Sequence, residues 1–287
     1  MSTTGEGRSS GERVERSPRS IQRVRERGTL PWPLGVPAVV AVFFLIVPLL
    51  ALLIRAPWSR LLQILADSSV LDALRLSLLS ATAATVISFI LGVPLAWMLA
   101  RARWKGLSLL RALVTLPLVL PPVVGGVALL LAFGRMGVIG KTIYEGTGFA
   151  LPFTTYAVIV AEAFVAMPFL VVTVEGAFRA ADQGFEEAAA TLGAARLTTF
   201  RRVTLPLIGP SLAAGSVLCW ARALGEFGAT ITFAGNNPLT QTMPIAVYLA
   251  DIDDTDAAIA LSLVLLLVSV VVLVALRDRW LRQGPAL

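Results

Sequence analysis

The sequence predicts an all-α integral membrane protein of six transmembrane helices with both termini cytoplasmic, and three observations carry that prediction. Of the 287 residues, 56% are hydrophobic and 15% charged, a balance too apolar for a soluble domain and typical of a chain whose solvent is the bilayer. Long apolar segments recur along it, and its basic residues sort to one side of them. Histidine is absent and cysteine occurs once, at Cys219 inside an apolar run. The sequence thus lacks the commonest general base, the commonest metal ligand and any disulfide framework; no metal site is expected, and Cys219 reads as a small buried hydrophobe.

Residues 1–30 are expected to form a disordered, Arg-rich cytoplasmic tail, because the first 28 hold seven Arg and four Glu without apolar periodicity and cannot bury enough surface to fold alone. The remainder, 31–287, is the transmembrane domain. Its first span, 34–54, carries no charge and at helical rise reaches roughly 30 Å, the thickness of a hydrocarbon core. That is too long for the apolar core of a secretory signal, and no small-residue cleavage site follows. By the same test further spans run over 76–99, 110–133, 156–178 and 257–276. Another, 212–234, carries Arg222 and Glu226. Pro94, Pro117, Pro121, Pro122 and Pro168 interrupt several spans, so kinked helices within a bundle are expected.

With six spans and a cytoplasmic amino terminus, eighteen basic residues fall on the inner side, five (Arg55, Arg60, Arg75, Arg135 and Lys141) on the outer, and Arg222 within a span. The positive-inside rule favours this orientation. The same distribution argues against nucleic-acid binding, which calls for one contiguous basic stripe.

Between the fourth and fifth spans, within residues 180–206, lies Glu187-Ala-Ala-Ala-Thr-Leu-Gly193, then nine residues, then Val203-Thr-Leu205-Pro206. Asp182 can cap a short helix whose first turn holds Glu186 and Glu187, favourable at the positive end of the helix dipole. Gly193 is a left-handed stop. A second helical segment, 195–203, ends near Arg201 and Arg202 and is closed by Pro206. The pattern resembles the EAA motif of ABC-importer permeases: Glu-Ala-Ala at Glu187, Ala188 and Ala189, Gly four residues later, and a distal Ile-x-Leu-Pro with Val203 in place of Ile.

Two further stretches, Thr115-Leu-Pro-Leu-Val-Leu-Pro-Pro-Val-Val-Gly-Gly126 and Ala221-Arg-Ala-Leu-Gly-Glu-Phe-Gly-Ala-Thr230, resemble molybdate-type oxyanion importer permeases; sulfate and thiosulfate permeases carry related versions, and tungstate is an alternative cargo. The resemblance implies a type I ABC importer permease fold in a bacterial or archaeal cytoplasmic membrane. It also implies a second copy of the permease, ATPase subunits that hold ATP and Mg, and an extracytoplasmic oxyanion-binding protein. No cofactor is expected on this subunit, which is not itself an enzyme. The loop 180–206 would insert its first helix into a groove of the ATPase.

Arg222 is costly at membrane depth unless paired or wetted. Glu226, one turn later, can partly neutralise it, so Arg222 reads either as lining the path of a dianion or as an internal pair with Glu226. Glu162 in the fourth span has the same ambiguity. Gly125, Gly126, Gly225 and Gly228 let helices approach closely. Asp251, Asp253, Asp254 and Asp256 form an acidic outer loop with no basic residue nearby in sequence, a meeting point for the binding protein or a solvated turn. Gly134 to Thr142 imitates a phosphate-binding loop, but its spacing fails by one residue and no strand precedes it. A secondary transporter, with inverted repeats and broken helices, and a membrane enzyme are the rival classes; no repeat and no nucleophile–base pair supports them.

Overall fold

The computed structural model describes residues 32–281, and every regular element among them is helical. The chain divides into two units, 1–48 and 49–287. The tail expected over 1–30 lies outside the described residues. Helix α1 (Trp32–Ile54) is a 23-residue apolar helix, continuous through Pro37 and Pro48.

In the larger unit, α2 (Leu61–Leu65) leads into α3 (Ser68–Arg101), a 34-residue helix that continues through Pro94. At 1.5 Å per residue α3 reaches roughly 50 Å, longer than a hydrocarbon core. Asp67 caps it: Oδ1 accepts the Ser69 amide at 2.9 Å and the Ser69 hydroxyl at 2.8 Å, which hold its carboxyl below the usual carboxylate value. Most buried residues of α3 are small, and a stripe of them recurs every three or four positions: Ala73, Ser77, Ser80, Ala84, Ser88, Gly92 and Ala96. Such a stripe lets a second helix come close enough for dispersion contacts to replace the hydrophobic drive that lipid removes. That helix is α7 (Thr155–Ala180), and the two form the centre of the unit, with Ala81, Ala84, Val93, Ala96 and Leu99 against Ala163, Ala166, Leu170, Val174 and Phe178. A Cβ on Gly92 would sit 3.2 Å from Val171 Cγ2.

The expected third span is not one helix. It is α4 (Leu107–Val119) and α5 (Pro122–Phe133), bent by 119°. The cause is local: Pro121 and Pro122 have no amides to donate, and each disfavours helical backbone in the residue before it. Leu120 and Pro121 are accordingly extended, with ψ near 131°, and Pro122 starts the next helix at a position where proline is favourable. A short helix, α6 (Gly140–Thr147), follows. Four described helices are long and apolar enough to cross a membrane, and counting as one span each the α4–α5 pair and the pair Arg196–Leu207 with Gly209–Leu224, bent by 75°, raises this to six.

After α7 come α8 (Gly184–Thr191), α9 (Arg196–Thr199), a π-helical turn over Phe200–Thr204 and α10 (Leu205–Leu207). The expected fifth span is likewise two helices, α11 (Gly209–Leu224) and α12 (Gly228–Phe233), separated at Gly225–Phe227. Helix α13 (Met243–Asp253) donates the Met243 amide to Ser77 Oγ at 2.7 Å. The last helix, α14 (Thr255–Leu281), packs Leu261 with Ala73, Met243 and Ala246.

Candidate functional site

Helix α8 forms where the sequence predicts it, but its N-cap is Gln183, whose side chain makes no capping bond, and the expected cap Asp182 stands one residue ahead. Asp182 Oδ1 accepts the Gly184 amide at 2.9 Å just ahead of it, and Glu186 and Glu187 occupy its first turn. Gly193 has φ +80°. Its amide reaches Ala190 O at 3.0 Å while the Ala194 amide reaches Ala189 O at 3.0 Å, the paired bonds of a Schellman stop. The second segment differs from expectation. It begins at Arg196 and does not end before Pro206, because the Leu205 amide bonds Phe200 O across a widened π turn. The extra residue in that turn makes room for the Pro206 ring, which would clash in a regular helix, and helix continues to Leu207.

Glu187, Ala188 and Pro206 are exposed, while Ala189, Val203 and Leu205 are half-buried. Phe185, Leu192 and Leu197 also point outward, Leu192 with 87% of its surface exposed. Glu186 turns the other way, toward α3. Its Oε1 accepts Arg101 Nη2 at 3.0 Å and Thr204 Oγ1 at 3.1 Å. Close by, Glu175 is held by Arg111 at 2.9 Å and Arg179 at 2.8 Å, and Arg111 also donates to Leu99 O. Sequence reasoning missed both clusters. Glu175 and Arg179 stand at i,i+4 and carried a local signal; Arg101 and Glu186 are 85 positions apart and carried none.

The stretch 221–230 forms a second constellation at the break between α11 and α12. Arg222 Nη2 lies 2.6 Å from Glu226 Oε2, with 26% of the arginine side chain and 1% of the glutamate side chain exposed. Glu226 Oε1 accepts the Ala229 amide at 2.7 Å, so its charge also meets the positive end of α12. Glu162, 1% exposed, accepts the Ser80 hydroxyl at 2.8 Å. The glycines separate into two kinds. A Cβ on Gly126 would meet Thr232 Cβ at 2.7 Å and Ala229 O at 2.8 Å; on Gly228, Pro122 Cβ at 2.9 Å; on Gly125, Phe164 Cε1 at 3.1 Å. These three bring α5 against α12 and α7. Gly225 does not: its Cβ would meet only Ala221 O, at 3.6 Å, within its own helix.

The acidic loop is not without a cation. Arg60, distant in sequence, bridges Asp254 at 3.3 Å and Asp256 at 3.2 Å. The glycine-rich 134–142 stretch folds back on α5, with the Val138 amide on Leu131 O and the Ile139 amide on Ala132 O, and its glycines serve that close return. Among the described residues no group of three or more acidic or sulfur side chains could hold a metal.

Residues 92–283 match the sequence pattern of the family described as binding-protein-dependent transport system inner membrane component. The molybdenum transport system permease protein ModB of Mycobacterium tuberculosis is 48% identical over 251 residues, 87% of this chain and 95% of that protein. The protein of the same name in Escherichia coli K12 is 43% identical over 178 residues, 62% of this chain and 78% of that one. A solved bacterial ABC transporter involved in the import of the acidic polysaccharide alginate shares the fold, with a TM-score of 0.72 at 17% identity over 88% of this chain and 96% of that chain. A chain of broken and continuous apolar helices, matched over two thirds of its length by one family and along nearly the whole length of a relative, belongs to the binding-protein-dependent transport system inner membrane components, the permease subunits of ABC importers.

Proposed function

We propose that the chain pairs with a second copy to enclose the transport path of an ATP-driven molybdate importer in a bacterial or archaeal cytoplasmic membrane, with the loop 180–206 as the seat of a separate ATPase. The observation that carries the ATPase half is the solvated surface of the α8–α9 turn, where Phe185 of α8, Leu192 at its end and Leu197 of α9 stand exposed along with Glu187. Apolar side chains grouped on a solvated loop with a charge among them fit a protein partner better than they fit water. Ala188 and Ala189 keep the approach close, and the charge distribution puts this loop in the cytoplasm, where ATP and Mg would be held by the partner. The molybdate half rests on the relatives that carry that cargo in their names and match along most of this chain. A second protein outside the membrane would deliver the anion.

The ATPase half predicts that Glu187→Lys or Gly193→Leu lowers copurification of the ATPase at least about tenfold while the membrane bundle stays folded, since a leucine at φ +80° strains the stop by about 1–2 kcal/mol. Normal copurification and uptake in both variants would defeat it. The cargo is tested in lipid vesicles holding the complete complex, where excess molybdate or tungstate should suppress uptake of labelled molybdate. Suppression by sulfate at equal concentration would transfer the assignment to sulfate. An ionophore should leave uptake intact while ATP is present; collapse with the ion gradient would favour a secondary transporter.

A further inference from the structure

We infer that Arg101 and Glu186 are a positioning pair through which the α8–α10 loop moves α3, an inference that rests on the coupling role proposed above and names the link it requires. Adjacent residues on a helix point about 100° apart, and here the two glutamates of the first turn take different tasks. Glu187 faces water. Glu186 sends one oxygen, Oε1, to two other elements: Arg101 on the last turn of α3 and Thr204 on the π turn. That single atom ties the outgoing helix of the loop to its returning limb and both to a membrane-spanning helix.

Three further observations make the tie decisive. Arg101 has only 12% of its side chain exposed and its Nε has no partner, so the guanidinium depends on Glu186, the carboxylate that it reaches among the described residues. A pocket of about 280 Å³ opens between α8 and its returning limb, lined by Glu186, Glu187, Arg196, Phe200 and Thr204 among others, with Trp97 of α3 closing one side. Across that pocket the loop reaches α3 through discrete contacts. Besides the Glu186 tie, the attachment at this pocket is Phe200, whose ring stands 6.0 Å from Trp97 of α3 and 6.1 Å from Phe178 of α7. Last, the end of α3 that Arg101 occupies also receives Arg111 of α4 at Leu99 O, 3.1 Å away, so a pull at Arg101 reaches the broken third span as well.

The test uses the complete complex, permease with ATPase and binding protein, in lipid vesicles. It reads bound ATPase, ATP hydrolysed, and labelled molybdate accumulated per ATP. Arg101→Gln, Glu186→Gln and the double variant are compared with Thr204→Val and Arg101→Lys, which disturb the tie without removing a charge. The expected result is that the ATPase stays attached and hydrolyses ATP while molybdate per ATP falls at least about fivefold in both single charge variants. The double variant should be no worse than either single one, Thr204→Val should fall between, and Arg101→Lys should recover part of the loss. An unchanged ratio in Arg101→Gln and Thr204→Val overturns the inference. So does a parallel loss of bound ATPase, hydrolysis and uptake, which marks a merely structural contact. Failure of the coupling role itself registers elsewhere, in normal ATPase attachment by Glu187→Lys.

Discussion

Glu226 answers to two neighbours at once, Arg222 through one carboxylate oxygen and the Ala229 amide through the other. Removing the cation strands a carboxylate that is 1% exposed, so Arg222→Ala is expected to cost about 3–5 kcal/mol of stability. Glu226→Gln keeps an acceptor for the amide and relieves the dry charge, and should cost clearly less; unfolding in detergent orders the two. If Arg222 also lines the path, Arg222→Gln lowers uptake in an intact complex, and unchanged uptake rules that role out. At the far end of α3, Asp67 supplies a pH-dependent contribution. Its carboxyl sits below its ordinary value because Ser69 donates two hydrogen bonds to the charged form. A depressed folded value means that the cap stabilises fully above the ordinary carboxylate value of about 4 and is lost as pH falls through the lowered one. The protection of the Ser69 and Leu71 amides, taken relative to their intrinsic exchange rates, should therefore fall in acid, and Asp67→Asn should flatten that dependence.

Between elements, the contacts of α5 and α12 are close enough for a substitution to probe. Alanine at Gly126 drives a methyl to within 2.8 Å of a backbone oxygen, and overpacking of this kind costs about 1–3 kcal/mol. Alanine at Gly225 meets only its own helix at 3.6 Å and has ordinary φ, so it should leave the melting temperature nearly unchanged. The element scale also shows what a sequence can announce. The continuous spans were legible because length and apolarity set them, and α3 and α7 were found through Pro94 and Pro168. The break at Leu120 and Pro121 had a visible cause in consecutive prolines, yet apolarity on both sides disguised it as one helix. The stop at Gly225 was equally disguised: Gly225, Glu226 and Phe227 leave the helix where Glu226 turns its side chain to the Ala229 amide three residues on, a local bond hidden in an apolar run.

Across the whole molecule, charge is sorted by end. The end of α3 that meets the loop 180–206 gathers Arg101, Arg111, Arg179, Glu175 and Glu186 into partly buried clusters. The opposite end has the Arg60 clasp on Asp254 and Asp256, about half exposed throughout. Exposed pairs are worth little and are screened by salt, so Arg60→Gln should shift stability by less than about 1 kcal/mol, and the shift should vanish in concentrated salt. The loop itself was the most legible part of the candidate site, because capping, dipole and glycine rules act within a few residues. The Arg60 clasp and the Arg101 tie were not, because each joins residues that only the fold brings together.

The two interrupted spans meet where glycine leaves no cushion, Gly126 of α5 on Ala229 and Thr232 of α12, and Gly228 of α12 on Pro122 of α5. The contact leaves no slack between them, so α5 and α12 are expected to move as one joint with a single rivet. A chemical cross-link between α5 and α12 is accordingly predicted to leave uptake running; arrested uptake would show that the halves of that joint part company in every cycle.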